Sequence, residues 1–159
     1  MIDKNRISGF STLGDVRATF RYHLSPRQHR VSPSAELPFG PAGSHCFRRM
    51  VAEADTYLEY GAGASTLAAH EMQRRMVTVE SDKHFLKAVE RACSLGIPDP
   101  EYGRSTFIHA DIGPTGTWGK PLFPSIPRPA KWKSYALAPW VTLGPDFRAD
   151  VILIDGRFR

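Results

Sequence analysis

The sequence predicts an α/β protein of three layers, in which a parallel sheet carries helices on both faces. Short segments rich in β-branched and apolar residues alternate with amphipathic segments, an order typical of right-handed strand–helix–strand crossovers. The last strand segment contains the uninterrupted apolar run Val151–Ile154, which is typical of a strand covered on both faces. A pair of glycines after the first strand predicts a tight turn into a helix.

The individual elements follow from hydrophobic periodicity and from capping or breaking residues. The predicted strands, in chain order, are residues 56–60, 76–80, 105–110 and 150–155. The predicted helices that precede or connect the first three strands are residues 45–54, 65–75 and 82–95. Ser44 can cap the first of these helices, Ser81 or Asp82 can cap the third, and Gly96 with Pro98 ends it.

Residues 1–43 form a basic, proline-containing lead-in to a domain that we place at residues 44–159. The chain has a net charge of +5, and residues 1–34 hold six of its 21 Lys and Arg against two acids, Asp3 and Asp15. Residues 10–24 can form a short helix, whereas residues 25–43 have an irregular pattern. Because the cations form no helical stripe, we interpret them as solvated surface and expect no nucleic-acid partner. A phosphate-binding or membrane-surface arm is the alternative.

The composition is that of a globular protein, with 42% hydrophobic and 23% charged residues. No apolar run is long enough to span a membrane, and the N-terminus lacks the layout of a secretion signal. Cys46 and Cys93 are isolated from each other and from metal-ligand spacings, so we expect two small buried hydrophobic side chains. These features predict a cytoplasmic protein.

A proline- and tryptophan-rich insert, residues 112–149, separates the third and fourth strands. It contains seven of the 13 prolines, all three tryptophans and five Lys and Arg against the single acid Asp146. An irregular segment of this length inside a compact domain is typical of a functional lid. The alternative is a proline-stiffened loop whose tryptophans pack on the domain.

Glycines and acids follow three successive predicted strands. The turn at Gly61 and Gly63 leaves bare backbone at a helix N-terminus, which favours a carboxylate or phosphate. Glu80 ends the second strand, where an acid commonly meets the ribose hydroxyls of a bound nucleoside. Asp111 follows the third strand, where it can accept from an adenine amine, and Ile112 can pack on the ring. The carboxyl ends of parallel strands meet at one sheet edge, so we expect a nucleoside site there.

Thr66 indicates which kind of nucleotide the site binds. A dinucleotide site usually has a third glycine at that position, for close helix packing against the pyrophosphate. Thr66 therefore counts against a nicotinamide or flavin enzyme without excluding one.

The segment Tyr57-Leu58-Glu59-Tyr60-Gly61-Ala62-Gly63-Ala64-Ser65-Thr66 resembles motif I of the class I, Rossmann-like S-adenosylmethionine-dependent methyltransferases. The resemblance extends through residues 79–82, 110–112 and 151–156. It covers about residues 44–159, with 112–149 as an unmatched insert. A complete fold of this class has seven strands, so the resemblance implies a chain that stops after the fourth strand and is incomplete at its C-terminus.

The resemblance implies S-adenosyl-L-methionine as the cofactor and a role for each matching residue. Glu59 would lie beneath the methionine moiety and help to hold its amino group, and Gly61 and Gly63 would bring backbone to the amino-acid part. Glu80 would bind the ribose and Asp111 the adenine amine. The full set implied to bind the cofactor is Glu59, Tyr60, Gly61, Ala62, Gly63, Ser65, Glu80, Ser81, Asp111 and Ile112.

Asp155 would face the methyl group and the acceptor, which makes it the candidate catalytic residue. The sequence 155–158 differs from the Asn/Asp-Pro-Pro-aromatic motif of enzymes that methylate DNA bases. A similar aspartate binds a metal in catechol-type O-methyltransferases, so Mg²⁺ is an alternative for Asp155, although we expect no metal. No general base stands out, since strand alternation directs His109 into a face of the sheet, where we expect it to pack.

The sequence therefore predicts methyl transfer to the hydroxyl or amine of a small molecule or sugar. The alternatives are a non-catalytic cofactor-binding or interaction module and, with less support, an NAD-dependent oxidoreductase. The fourth strand would have an open apolar edge, which predicts either a longer natural chain or a partner that covers this edge.

Overall fold

A computed structural model describes residues 36–96, 105–113 and 129–155 of the chain. The helices are α1 (Gly40–Glu53), α2 (Ala64–Glu71), α3 (Lys83–Gly96) and α4 (Pro129–Leu143). The strands are β1 (Thr56–Tyr60), β2 (Arg75–Glu80), β3 (Ser105–His109) and β4 (Val151–Ile154). The short helix predicted over residues 10–24 lies outside the described residues.

The four strands form one parallel sheet in the order β3-β2-β1-β4. The chain runs outward from β1 through β2 to β3 and then returns to the other side of β1 with β4. Neighbouring crossovers therefore diverge between β1 and β4, and an open α/β sheet has its ligand crevice at such a switch point, beside the carboxyl ends of the strands. At the amino ends of β1 and β4, Asp150 connects the two strands, because its Oδ2 accepts the Thr56 N–H over 2.8 Å.

Helices α1, α2 and α3 cover one face of the sheet. Their core side chains meet strand residues such as Tyr57 and Met76, which are both fully buried. Alternation along the strands puts Glu59, Thr78 and Glu80 on this same face. The site acids therefore lie under the helices that follow β1 and β2.

Helix α4 covers the opposite face, over β2 and β3. Tyr135 and Ala138 of α4 are buried in a cluster with Leu58, Val77 and other strand residues. The sheet thus has helices on both faces, and the predicted α/β class is confirmed.

The prediction for the fourth strand is wrong in one respect. Ile152 and Ile154 are 50% and 57% exposed, although the apolar run predicted cover on both faces. They lie in register with Leu58 and Tyr60, on the face that α4 covers only at β2 and β3. Within the described residues β4 is also an outer strand of the sheet, so the open apolar edge that the sequence predicted is present there.

The first helix begins earlier than predicted. It starts at Gly40 with proline in its first turn, and Ser44 is an internal residue with no capping role. Proline suits this position because its fixed φ is helical and the N–H that it lacks would have no partner. Residues 40–43, predicted to be irregular, are helical for this reason.

The remaining boundaries differ by a few residues. Helix α2 ends at Glu71, well before the predicted residue 75, because Gln73 adopts a φ of 55° and the chain then enters β2 at Arg75. Asp82 is the cap of α3, since its Oδ1 accepts the N–H groups of His84 and Phe85. Strands β3 and β4 are each shorter than predicted at the ends.

Helix α4 lies inside the segment predicted to be an irregular insert. It continues through Pro139, which is fully buried. Trp132 and Trp140 pack against the core, and Trp140 Nε1 donates to the Phe147 carbonyl over 3.1 Å. The described part of the insert thus contains a helix where both interpretations expected a loop, but Trp132 and Trp140 pack on the domain as the alternative interpretation expected. Trp118 lies outside the described residues.

Two further predictions about single side chains are wrong. Cys93 is buried as predicted, but Cys46 is exposed on the outer side of α1. His109 is exposed at the end of β3, where its Nε2 lies 3.2 Å from the Ser81 carbonyl. Among the described residues, none of the helices has both the length and the apolar character required to cross a bilayer.

Candidate functional site

The backbone from Gly61 to Gly63, which we call the glycine corner, connects β1 to α2 at the carboxyl edge of the sheet. The Gly61 N–H donates to the Val79 carbonyl over 2.8 Å, and the Ala62 N–H donates to Glu80 Oε2 over 3.1 Å. The corner is thus bonded to the end of β2. The structure thus brings together the two glycines and Glu80, which the sequence predicted to share a site.

The two glycines differ in what they contribute. Gly61 has a φ of 101°, a conformation that side chains with a Cβ rarely adopt, so the turn itself requires glycine there. Gly63 has an extended φ of 165°, which any residue adopts, and a Cβ built on it would meet no atom within 4 Å. Gly63 therefore borders open space, and its missing side chain leaves room for a ligand.

Glu80 is fixed by donors from the start of α3. Its Oε1 accepts the N–H groups of Ser81 and Asp82 and the Ser81 hydroxyl, over 2.6 to 3.1 Å. Its Oε2 accepts only the Ala62 N–H in the described structure. With three donors on Oε1 and one on Oε2, Oε2 keeps capacity for a ligand hydroxyl, and Ser81 acts by orienting the acid.

Glu59 is fully buried beneath the first turn of α2. Its Oε2 accepts the hydroxyls of Tyr57 and Ser65, over 2.9 and 2.8 Å. Its Oε1 accepts the hydroxyl of Thr78 over 2.8 Å and that of Thr66. Burial raises the pKa of Glu59, and the hydrogen bonds from these four donors oppose the rise. The carboxylate is thus enclosed by four protein hydroxyls.

Asp111 lies at the same edge, just beyond β3, and is exposed. Its Oδ1 accepts the Gly113 N–H over 2.9 Å and its Oδ2 pairs with Lys131 Nζ at 2.5 Å. The hydrogen bond from Lys131 is the main cause that lowers the pKa of Asp111. The α4 helix therefore places a cation on the acid that the sequence assigned to the adenine amine.

Ile112 does not border the open space in the described structure. It is buried in the cluster beneath α4, together with Tyr135 and Ala110. A role on the face of a ligand ring, which the sequence predicted, would require that a part of this side chain becomes accessible.

Asp155 and Tyr60 flank the switch point between β1 and β4. The Asp155 N–H donates to the Tyr60 carbonyl over 3.0 Å, and the Asp155 side chain is exposed. The Tyr60 hydroxyl donates to the Ala136 carbonyl of α4 over 2.6 Å, so its ring belongs to the packing beneath α4. The described residues contain no group of three His, Cys, Asp or Glu side chains that could hold a metal ion.

Several residues of the site were not found by sequence reasoning. Thr78 and Thr66 both donate to Glu59, although the sequence predicts a strand position for the first and only a replacement of glycine for the second. Tyr135 and Lys131 come from α4, which lies in a segment predicted to be a loop. The Tyr135 ring lies 5.5 Å from that of Tyr60, and burial, with the charge of Glu80, raises its pKa.

Comparison with known proteins gives one informative similarity. The chain is 36% identical to a methyltransferase-like protein from Silicibacter pomeroyi, and its structure superposes on the crystal structure of that protein with a TM-score of 0.64. The alignment covers 83% of this chain but 64% of the other, so this chain spans less than two thirds of its neighbour. No protein-family model matches the chain, and no curated protein matches it. The fold of this chain is thus α/β and Rossmann-like, in common with a methyltransferase-like protein.

Proposed function

We propose that the chain carries the S-adenosylmethionine site of a methyltransferase. The observation that supports this proposal most directly is the hydrogen bond between Ala62 of the glycine corner and Glu80, beside the open space at Gly63. The similarity to a methyltransferase-like protein supports the general class of function. We propose both that the methyl group comes from this cofactor and which class of acceptor receives it.

The residues at the corner fit the chemistry of such a cofactor. An amino acid linked to an adenosine offers a carboxylate, two ribose hydroxyls and an exocyclic amine. The N-terminus of α2 presents backbone N–H groups suited to the carboxylate. Glu80 Oε2 has capacity for a ribose hydroxyl, and Asp111 is exposed at the position that suits the amine.

Asp111 is paired with Lys131, and this pair sets a condition on adenine binding. The amine would have to share Oδ2 with Lys131 or displace it. Both side chains of the pair are accessible, at 44% and 61% exposure. A pair so exposed contributes little stability, so its rearrangement costs little on binding.

The cofactor supplies a methyl group on a sulfonium, which an acceptor oxygen or nitrogen attacks in line. The chain contributes positioning, by holding the nucleoside against the edge formed by the glycine corner and Glu80 so that the reacting atoms meet at the switch point. Asp155, exposed at the end of β4, is our candidate for orienting the acceptor or for taking its proton. A small molecule with a hydroxyl or amine is the acceptor class that we propose.

Calorimetric titration with S-adenosylmethionine and S-adenosylhomocysteine tests the proposal. We expect both to bind and NAD to bind far more weakly, because Thr66 fills the place of the third glycine and is fully buried. A folded sample that binds neither sulfur nucleoside below millimolar concentration would contradict the proposal. A gain in thermal stability with NAD alone would favour an oxidoreductase.

A non-catalytic interaction module is the second candidate. The exposed Ile152 and Ile154 on the edge strand β4 favour it, since an open apolar strand edge can pair with another chain. Light scattering distinguishes the two candidates when it is combined with an assay of methyl transfer. A stable dimer that transfers no methyl group would favour the interaction module.

A further inference from the structure

We infer that Glu59 acts on the ligand site as a positioning residue, through four protein hydroxyls that fix the glycine corner, and does not itself contact the ligand. This inference rests on the proposed function for the identity of the ligand. It replaces the expectation that Glu59 holds an amino group. The residues that take part are Tyr57, Ser65, Thr66 and Thr78.

Protein hydroxyls occupy the hydrogen-bonding capacity of the Glu59 carboxylate. Two carboxylate oxygens offer about four acceptor sites, and each oxygen of Glu59 already accepts two hydroxyls. The side chain is also completely buried. A ligand ammonium would therefore have to displace a protein hydroxyl and open the packing beneath α2 before it reached Glu59.

Two hydrogen bonds in series connect Glu59 to the glycine corner. The Thr66 hydroxyl donates to Glu59 Oε1 and accepts the Gly63 N–H over 2.8 Å. A hydroxyl has a single proton, so its donation to Glu59 leaves a lone pair directed at Gly63. Glu59 thereby fixes the orientation of Thr66, and Thr66 fixes the backbone at Gly63.

Glu59 also connects three elements of the fold. Tyr57 belongs to β1, Thr78 to the neighbouring strand β2, and Ser65 to the first turn of α2. Glu59 and Thr78 are register partners in the sheet. The hydroxyl set therefore ties the N-terminus of α2 to the two central strands, and this fixes the position of the α2 backbone N–H groups that we propose for the ligand.

Amide hydrogen exchange in the ligand-free protein tests the positioning role without reference to any ligand. We expect Glu59→Gln and Thr66→Val each to accelerate exchange at the Gly63 amide by about tenfold or more, because its hydrogen bond is lost or misdirected. Thr66→Ser is the matched control, since it keeps the hydroxyl, and we expect it to exchange almost as the wild type does. Unchanged exchange in both Glu59→Gln and Thr66→Val would overturn the inference.

Ligand titration distinguishes positioning from direct contact. S-adenosylhomocysteine and its analogue without the amino group serve as probes. A positioning role predicts that Glu59→Gln weakens the binding of both probes by the same factor, about tenfold, and that adding Thr66→Val causes little further loss. A loss confined to the probe that carries the amine would overturn the inference and restore direct contact.

These experiments still decide the role of Glu59 in two unfavourable cases. If wild-type protein bound neither probe, the proposed function would fail, and the exchange rates at Gly63 would still decide the role of Glu59. If Glu59→Gln did not fold, Thr66→Val and Thr66→Ser would carry the comparison alone. In that case equal loss for both probes with Thr66→Val supports positioning, and undiminished binding of both overturns it.

Discussion

Glu80 and Ala62 are joined by a hydrogen bond of 3.1 Å from the Ala62 N–H to Glu80 Oε2. This bond crosses from the end of β2 to the turn that follows β1, so it couples the acid proposed to bind a ribose to the backbone proposed to bind an amino acid. The Gly61 N–H makes a second bond across the same gap, to the Val79 carbonyl. The two halves of the proposed cofactor would therefore be held by a single rigid edge of the sheet.

Replacing Glu80 with alanine is expected to weaken the binding of S-adenosylhomocysteine by about 1–3 kcal/mol, since ribose hydroxyls lose their acceptor. The variant also leaves the N–H groups of Ala62 and Asp82 without their acceptor, so thermal stability should fall. Calorimetry measures the first effect and thermal unfolding the second. Glu90→Ala, an exposed acid on α3, is the control and should alter neither. An unchanged dissociation constant for Glu80→Ala would show that the ribose binds elsewhere.

The two glycines of the corner should respond differently to alanine. Gly61→Ala is expected to reduce the free energy of unfolding by about 1–3 kcal/mol, because its φ of 101° is strained for a residue with a Cβ. Gly63→Ala should unfold much as the wild type does, since its Cβ meets no atom within 4 Å. Its affinity for S-adenosylhomocysteine should fall nonetheless, because the new methyl group occupies the space proposed for the ligand. Wild-type affinity in Gly63→Ala would contradict a ligand site at the corner.

The carboxyl of Asp111 should titrate below the ordinary range of an aspartate. The Lys131 hydrogen bond is the largest cause that lowers its pKa, followed by the Gly113 N–H. A lowered pKa in the folded state means that the ion pair favours folding above the unfolded-state pKa, and that this contribution is lost as the pH falls through the folded-state value. Carbon-detected NMR of the side chain measures the titration.

Lys131→Ala is the matched variant for this titration. It should raise the pKa of Asp111 toward the ordinary value while leaving the Gly113 N–H in place. If the NMR titration of Asp111 were the same with and without Lys131, the pairing of α4 with the end of β3 would be absent in solution.

The two cysteines should differ in reactivity toward a thiol reagent at neutral pH. Burial is the main cause that raises the pKa of Cys93 to about 12, so the reactive thiolate is scarce and the sulfur is covered. Cys46 is exposed and should react at once. A colorimetric thiol assay should therefore count one fast thiol in native protein and two after denaturation, and Cys46→Ser should remove the fast one. Two fast thiols in native protein would contradict the burial of Cys93.

The periodicity of the sequence predicted the elements around β1, β2 and β3 because each is determined by local signals. The glycines after Tyr60 and the β-branched run before Glu80 identify turns and strands without reference to distant residues. Helix α4 was not predicted because prolines such as Pro139 usually end a helix. Here the helix continues past Pro139, which is buried in the surrounding core. The exposure of Ile154 was not predicted either, because the burial of a strand residue depends on which helix packs against that face of the sheet.

The order of strands and helices, the glycine corner, and the acids Glu80 and Asp111 at strand ends were predictable because they depend on spacing along the chain. The four hydroxyls around Glu59 and the pairing of Lys131 with Asp111 are evident only in the packed structure. Hydrogen bonds and ion pairs depend on distances of about 3 Å between side chains on separate elements. Those distances are set by sheet register and helix packing, which no local pattern of residues specifies.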